Sequence, residues 1–286
     1  MFADKNHPLR CSQLASIPRC SGRIWLLDYL DCRDSEGGEA AQNGSLTHCG
    51  VAEFHKTEGR LDTRVKAAWD AIAANRAKFP LADTNEVKLF LTPYVADPRN
   101  IDAVFARMPD GKLAVEQQVD FSLAPHELDP TGLPIYIQGT FDQVRLTERG
   151  IPYVCDLKTG KISGLQMIHD YSVQLAAYTY GARQIWVNAI PGKIIRAHGY
   201  RVRDAVLPSP NGVFWTLPFD YSDIDILLEN VRLHVALVRM GNVQFNPGPH
   251  CTYCEFGGLT GCLPRIKSIM YEGAKPDNPF IQLGVR

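Results

Sequence analysis

Two neighbouring segments decide the fold: Ile135-Tyr-Ile-Gln-Gly-Thr-Phe-Asp142-Gln-Val-Arg-Leu146 and Ile151-Pro-Tyr-Val-Cys-Asp156-Leu-Lys158, joined by Thr147-Glu-Arg-Gly150. Both are rich in the β-branched and aromatic residues that favour strands, and the short polar connection is typical of a turn. We therefore predict a β-hairpin. If its turn centres on Arg149, Asp142 faces Asp156 across the strands, with Cβ atoms about 4.5–5.5 Å apart.

Two opposed carboxylates repel each other unless a cation lies between them. Mg²⁺ and Mn²⁺ prefer oxygen ligands and suit this arrangement. Side chains alternate along a strand, so Asp156 and Lys158 share one face while Leu157 points into the core. The lysine is then placed to orient a water or to stabilise charge on a phosphate. An exposed hairpin with a surface ion pair is the alternative.

The composition excludes several classes of protein. The 286 residues include 30 Lys and Arg against 31 Asp and Glu, so a general polyanion-coating protein is excluded and any nucleic-acid surface must be a local groove. No apolar run approaches the ~18 residues of a membrane span, and the N-terminal sequence lacks the pattern of a secretory signal. We predict a cytoplasmic protein that does not bind membranes.

The cysteines indicate an inorganic centre. Cys251, Cys254 and Cys262 form a C-x2-C pair followed by a third cysteine in a glycine-rich segment. In a reducing compartment such a group favours metal binding over disulfides. Zn²⁺ and a [4Fe–4S] cluster both take four ligands, so a fourth must come from elsewhere in the chain. We predict Cys20, with Cys11 as the rival, and interpret the other cysteines as packing residues: Cys32, Cys49 and Cys155.

Three motifs in order carry a family resemblance: Gly139-Thr-Phe-Asp142, Asp156-Leu-Lys158-Thr-Gly160 and Gln174-x3-Tyr178. Together they resemble the PD-(D/E)XK nucleases of the RecB-like branch. With the cysteine layout, the chain is most similar to CRISPR-associated iron–sulfur exonucleases and AddB-type nuclease domains, from about Cys11 to Cys262.

The resemblance implies an α/β fold, a restriction-endonuclease-like mixed central sheet flanked by helices. It implies one nuclease domain over 1–286: an N-terminal helical part (1–80), a catalytic core (81–220) and a C-terminal helix with the cysteine region (221–286). It also implies that Cys20, Cys251, Cys254 and Cys262 hold a structural [4Fe–4S] cluster.

The resemblance further assigns a catalytic site with Mg²⁺ or Mn²⁺. The family's histidine motif matches Gly44-Ser-Leu-Thr-His48, which makes His48 a metal ligand; His55 is the rival. The remaining metal ligands would be Asp142, Asp156 and the carbonyl of Leu157, with Lys158 as the catalytic lysine. Glu116, on a preceding strand, would bind the metal indirectly or orient the lysine; a solvated strand residue is the alternative.

A predicted helix from Leu165 places Tyr171, Gln174 and Tyr178 on one face. The family resemblance makes Gln174 and Tyr178 contacts of the DNA backbone, and Tyr171, on the same face, is predicted to bind DNA with them; a half-buried core position is the alternative for the tyrosines. Further patterns predict a helix over Leu61–Lys78, strands at Ile185–Val187 and Ile194–Val202, and a helix from Ser222 or Asp223 to about Met240.

The leading hypothesis is a metal-dependent DNA exonuclease acting on single strands or DNA ends, in repair, recombination or phage or CRISPR-type DNA processing. A helicase or recombination protein is a possible partner class. The alternative hypothesis is a non-catalytic nucleic-acid-binding module on the same fold, with zinc at the cysteines.

Overall fold

A computed structural model describes residues 1–29, 38–159, 164–195, 214–216 and 221–245, together with Cys251 and Cys254. The chain divides into two compact units, each built from separate segments. Unit 1 comprises Met1–Glu36, Phe121–Gln138 and Ile226–Arg286, and unit 2 comprises Gly37–Asp120 and Gly139–Asp225. The three-part single nuclease domain over 1–286 stays a prediction.

The described residues form α-helices, β-strands and a few short turns. The α-helices are α1 Ser21–Ile24, α2 Glu39–Lys56, α3 Leu61–Asn75, α4 Thr84–Ala96, α5 Pro98–Ile101, α6 Gly164–Ile185 and α7 Tyr221–Arg239. The strands are β1 Leu9–Arg10, β2 Val115–Leu123, β3 Ile135–Leu146, β4 Pro152–Leu157, β5 Ile190–Ile195 and β6 Phe214–Thr216. Short 3-10 turns cover Cys11–Ser16 and Arg76–Lys78, and a π turn covers Trp25–Tyr29.

The strands form one mixed sheet in the order β1-β3-β4-β5-β6, with β2 also paired to β3. The predicted hairpin is β3–β4, in which Gln143 pairs with Cys155 and Leu146 with Pro152. Continued by one residue, this register puts Asp142 opposite Asp156, as the sequence predicts. The mixed sheet with flanking helices confirms the predicted fold class; the iron–sulfur region belongs to the proposals below.

In unit 2, helices α2, α3 and α4 pack on the sheet. Their buried apolar residues form one cluster with Cys155 and Leu157 of β4 and Ile195 of β5. Leu157 is 3% exposed, which confirms its predicted inward direction. Helix α3 and the following 3-10 turn cover the predicted Leu61–Lys78, and Asp83 caps α4 by accepting a hydrogen bond from Asn85 N.

In unit 1, β1 pairs in parallel with β3, Leu9 opposite Ile137. The last residue of α7, Arg239, is fully buried and forms an ion pair with Asp129 at 2.7 Å. Its guanidinium also donates to the carbonyls of Phe2 and Leu133, so it satisfies backbone acceptors that burial has removed from water. Helix α7 agrees with its prediction within one residue.

The predicted strand at Ile185–Val187 is wrong. Ile185 is the last residue of α6, and Val187 lies in the following turn with 90% of its surface exposed. A run of three apolar residues is too short for its period to separate a helix end from a strand. Strand β5 begins at Ile190, earlier than predicted, and residues 196–202 lie outside the described residues. Among the described helices, none is both long and apolar enough to cross a bilayer.

Candidate metal site and catalytic lysine

Three ligand-bearing side chains of unit 2 converge at one point. His48 on α2, Glu116 on β2 and Asp142 on β3 each offer a ligand atom within 4.8 Å of the others. His48 Nδ1 lies 2.7 Å from Glu116 Oε1 and 3.7 Å from Asp142 Oδ1. Leu46, Gly50 and Phe54 form the stripe of α2 that packs inward. His48 lies on a different side of the helix from this stripe, where it meets Glu116 and Asp142. Sequence reasoning predicted all three residues, and the structure brings them together.

Gly44, one turn before His48, lets α2 approach the end of β4 closely. A Cβ at this position would lie 3.1 Å from Thr159 Oγ1, closer than most side-chain contacts. The glycine of the histidine motif therefore lies against the residue that follows Lys158 in the chain.

The hairpin brings the remaining predicted residues beside this group. Leu157 N donates a hydrogen bond to Asp142 Oδ2 at 2.6 Å, which ties the carboxylate of β3 to the end of β4. Asp156 Oδ2 and Lys158 Nζ form an ion pair at 2.6 Å. Asp156 Oδ2 is buried, and the ammonium of Lys158 is its charged neighbour.

Helix α6 completes the surroundings of the lysine. Lys158 Nζ donates to Gln174 Oε1 at 3.0 Å and lies 4.6 Å from the centroid of the Tyr171 ring. Of the three α6 residues predicted to contact DNA, Tyr171 is partly exposed, whereas Gln174 is 8% and Tyr178 5% exposed. Tyr178 packs edge-on against Phe141 of β3. Contact with DNA stays a prediction for all three.

Burial and repulsion shift the titration of the carboxylates. Burial, with the charge of Asp142, raises the pKa of Asp156 to about 6, although Lys158 opposes the shift. Burial and Glu116 raise the pKa of Asp142 against the pull of His48. Burial alone would lower the pKa of Lys158, but Asp156 and Asp142 raise it, so the ammonium stays charged.

His48 is cationic at neutral pH in this site without a metal ion. Burial alone would lower its pKa, but Asp142, Glu116 and Asp156 together raise it to about 9. The anionic pocket therefore holds a proton on the imidazole where a divalent cation would neutralise the same carboxylates.

The donor set fits Mg²⁺ or Mn²⁺. It combines carboxylate oxygens with one imidazole, and the imidazole favours Mn²⁺ over Mg²⁺. The buried Asp156 Oδ2 contacts the Lys158 ammonium, and a carboxylate oxygen has further lone pairs that a bound cation would use. The carboxylates of Glu116, Asp142 and Asp156 also lie close together, and grouped negative charges are costly to bury without a cation.

Glu116 is held in a conformation that few residues adopt. Its φ is +50°, in the left-handed region that is uncommon for residues other than glycine. Such backbone costs of order 1–3 kcal/mol and persists where the surroundings impose it, often at functional sites. The predicted alternative of an ordinary solvated strand residue does not describe Glu116, because its carboxylate is engaged by His48.

The rival histidine, His55, lies elsewhere. It is buried on α2 with its Nε2 2.8 Å from the Tyr94 hydroxyl, and burial followed by Arg145 lowers its pKa well below the usual value. The same hydroxyl accepts from Gln143 Nε2 at 2.7 Å and from Arg145 Nη2 at 3.1 Å. We call these four residues the Tyr94 cluster.

The Tyr94 cluster links α2 and β3, two of the elements that carry the metal-site residues. His55 is two turns beyond His48 on α2, and Gln143 adjoins Asp142 on β3. Sequence reasoning missed it: the spacing of Val87, Phe90, Leu91, Tyr94 and Val95 indicates a buried helix, but no local signal reveals which side chains share the hydroxyl.

The cysteine prediction is only partly covered by the described residues. Cys20 is buried immediately before α1, and Cys254 N donates to Cys251 O at 3.3 Å in a tight turn. Gly22 N donates to Gln244 O, and Gln244 N donates to Ser21 Oγ, both at 2.9 Å. The rival Cys11 is also buried, and Cys262 and Cys32 lie outside the described residues.

The sequence model of the PD-(D/E)XK nuclease superfamily matches residues 9–259. The chain belongs to this superfamily. PD-(D/E)XK enzymes are metal-dependent nucleases, and the group formed by His48, Glu116 and Asp142 is a candidate acidic metal site of the kind they need. The hairpin carries Asp142 and the sequence Asp156-Leu157-Lys158, which has the D-x-K spacing of the superfamily's name; their catalytic roles stay a prediction.

Curated sequences and solved structures do not narrow the assignment within the superfamily. No curated protein sequence matches the chain significantly. Among solved structures, the crystal structure of SSO0001 is similar over 86% of this chain and 93% of its own, with 16% sequence identity and a TM-score of 0.35.

Proposed function

We propose that this PD-(D/E)XK protein is an exonuclease that hydrolyses phosphodiester bonds in single-stranded DNA or at DNA ends. One observation carries the catalytic part: Lys158 lies 2.6 Å from Asp156 beside the group formed by His48, Glu116 and Asp142. An ammonium next to a divalent-ion site suits phosphodiester hydrolysis, because both positive charges stabilise the negative charge that develops on the phosphate.

Each residue has a defined role in the proposal. His48, Asp142, Asp156 and the Leu157 carbonyl would hold Mg²⁺ or Mn²⁺, which polarises a phosphoryl oxygen and lowers the pKa of a bound water. Lys158 orients the attacking water and stabilises negative charge on the phosphate. Leu157 N fixes the direction of the Asp142 carboxylate. Glu116 orients His48 through its hydrogen bond.

Degradation of labelled DNA tests the activity. We expect a linear single strand with a labelled end to be shortened in the presence of Mn²⁺, and Asp156→Asn to reduce the rate by at least ~10²-fold. Asp70→Asn, which removes an exposed carboxylate on α3, is the control and should leave the rate unchanged. A circular single strand should resist. Persistent degradation by Asp156→Asn would contradict the site, and DNA binding without cleavage by the unmodified protein would favour the non-catalytic module.

We further propose that Cys20, Cys251, Cys254 and Cys262 hold a structural [4Fe–4S] cluster. Two hydrogen bonds support it, because Gly22 N donates to Gln244 O and Gln244 N donates to Ser21 Oγ, which ties the chain just after Cys20 to a residue seven positions before Cys251. Gly22 makes this contact possible, since a Cβ there would lie 2.4 Å from the Phe245 ring. The cysteine-bearing segments are thus held together by contacts that do not involve the cysteines.

Iron analysis separates the possible ligands and metals. We expect a brown protein with about four iron and four sulfide ions per chain. Cys20→Ser should lose iron, Cys11→Ser should retain it, and Cys49→Ser is the control in unit 2. Loss of iron from Cys11→Ser alone would make Cys11 the fourth ligand. Stoichiometric zinc in place of iron would refute the cluster. A helicase or recombination partner stays a prediction.

A further inference from the structure

The aromatic ring of Tyr171 lies against the ammonium of Lys158. Three contacts surround Lys158 Nζ: the ion pair with Asp156 at 2.6 Å, the hydrogen bond to Gln174 at 3.0 Å and the Tyr171 ring at 4.6 Å from its centroid. We propose that Tyr171 is a positioning residue: through a cation–π contact its ring holds the Lys158 ammonium where the proposed reaction needs it. This inference rests on the proposed catalytic role of Lys158.

A lysine needs such a support more than most catalytic groups do. Its ammonium is a compact charge at the end of a flexible four-carbon chain, and Asp156 and Gln174 accept only from part of its donor surface. The Lys158 side chain is 17% exposed, and a cation–π contact strengthens as water is removed. Among the described residues, the ring therefore adds a third contact to the ammonium beside those with the two oxygens.

Helix geometry makes Tyr171 and Gln174 act as a pair. They are three residues apart on α6, so both project from neighbouring positions of one face. Asp156 has a second proposed duty as a metal ligand, and binding a cation would weaken its attraction for the ammonium. Tyr171 and Gln174 are not metal ligands in the proposal, so they hold the lysine both with and without the bound ion.

The competing role is direct contact between Tyr171 and DNA. A tyrosine that stacks on a base or contacts the backbone contributes to DNA affinity, by ~1–3 kcal/mol for stacking. A tyrosine that acts through Lys158 contributes instead to the rate of the chemical step. The two roles therefore separate in kcat, KM and the dissociation constant for DNA.

The test compares variants at Tyr171 on a labelled single-stranded oligonucleotide with Mn²⁺. Tyr171→Leu and Tyr171→Gln both remove the ring, and we expect each to lower kcat about 5- to 30-fold, with KM within about twofold. Tyr171→Phe keeps the ring and should restore kcat to within about threefold. Tyr180→Leu is the control, because nine residues at 100° each place it on the opposite side of α6. Far-UV circular dichroism and urea unfolding check the fold of each variant.

Two further measurements identify the route of the effect. Fluorescence anisotropy with Ca²⁺ in place of Mn²⁺ should give the same DNA dissociation constant for Tyr171→Leu as for the unmodified protein. In the Lys158→Met background, Tyr171→Leu should cause no additional loss of kcat, because the two residues act as one unit.

Several results would overturn the inference. They are a raised DNA dissociation constant with unchanged kcat, equal damage from Tyr171→Phe and Tyr171→Leu, or multiplicative losses in the double variant. Full activity of Lys158→Met is a different outcome, since it would refute the proposed catalytic lysine itself.

Discussion

Binding of a divalent ion should release a proton from His48. The carboxylates around His48 raise its pKa to about 9, and an imidazolium has no lone pair to give to a metal. At pH 7.5, about 1.5 pH units below that pKa, His48 is ~97% protonated, so each ion bound should release nearly one proton. The dissociation constant for Mn²⁺ should fall about tenfold per pH unit up to pH 9 and then level off, a difference of roughly 30-fold between pH 7.5 and the plateau.

Isothermal titration calorimetry measures both quantities. Titrations of Mn²⁺ in buffers with different ionisation enthalpies give the number of protons released, and a series from pH 7 to 9.5 gives the slope. Glu116→Gln removes one of the charges that raise the pKa of His48, so the release at pH 7.5 should decrease even if the affinity also changes. His48→Ala should bind Mn²⁺ without this release.

A constant dissociation constant across this pH range, with no proton released at pH 7.5, would refute the reasoning. It would mean either that His48 is not a ligand or that the carboxylates do not hold its proton. An NMR titration of His48 without a metal ion separates the two, because a pKa of about 9 combined with no proton release would mean that the imidazole is not a ligand.

Three further changes test the packing around the site. Tyr94→Phe leaves Gln143 and Arg145 without their shared acceptor, so the free energy of unfolding in urea should fall by ~1–3 kcal/mol. Tyr153→Phe is the control, and an unchanged urea midpoint of Tyr94→Phe would contradict the prediction. Gly50→Ala places a Cβ 2.9 Å from the Ile72 side chain and should lower the free energy of unfolding by ~1–3 kcal/mol. Gly38→Ala, whose Cβ would have nothing within 4 Å, is the control and should lower it little. Equal losses from the two variants would refute the close contact at Gly50. Gly22→Ala displaces Phe245 and should lower the iron content of the purified protein; full iron loading would show that this contact does not support the cluster.

The sequence predicts the hairpin because its information is local. The bounds of β3 match the predicted segment, and the turn fixes a register in which Asp142 faces Asp156. The direction of Leu157 and Lys158 follows from alternation along β4. The resemblance to nuclease motifs adds His48, which no local pattern distinguishes from His55.

Long-range contacts account for what the sequence could not predict. Nothing around Glu116 signals its positive φ or its hydrogen bond to a histidine 68 residues earlier. The Tyr94 cluster joins residues from α2, α4 and β3, and the contact of Lys158 with Tyr171 depends on how α6 packs beside β4. The strand predicted at Ile185–Val187 fails for the opposite reason: a short apolar pattern was interpreted without the helix that precedes it.

Anomalous scattering from crystals containing Mn²⁺ tests the central claim most directly, because it locates the ion without reference to activity. The account predicts a strong anomalous peak within coordination distance of His48, Asp142 and Asp156, beside the Lys158 ammonium, and no peak there in Asp142→Asn crystals. A fully loaded ion bound elsewhere, with these side chains unoccupied, would contradict it.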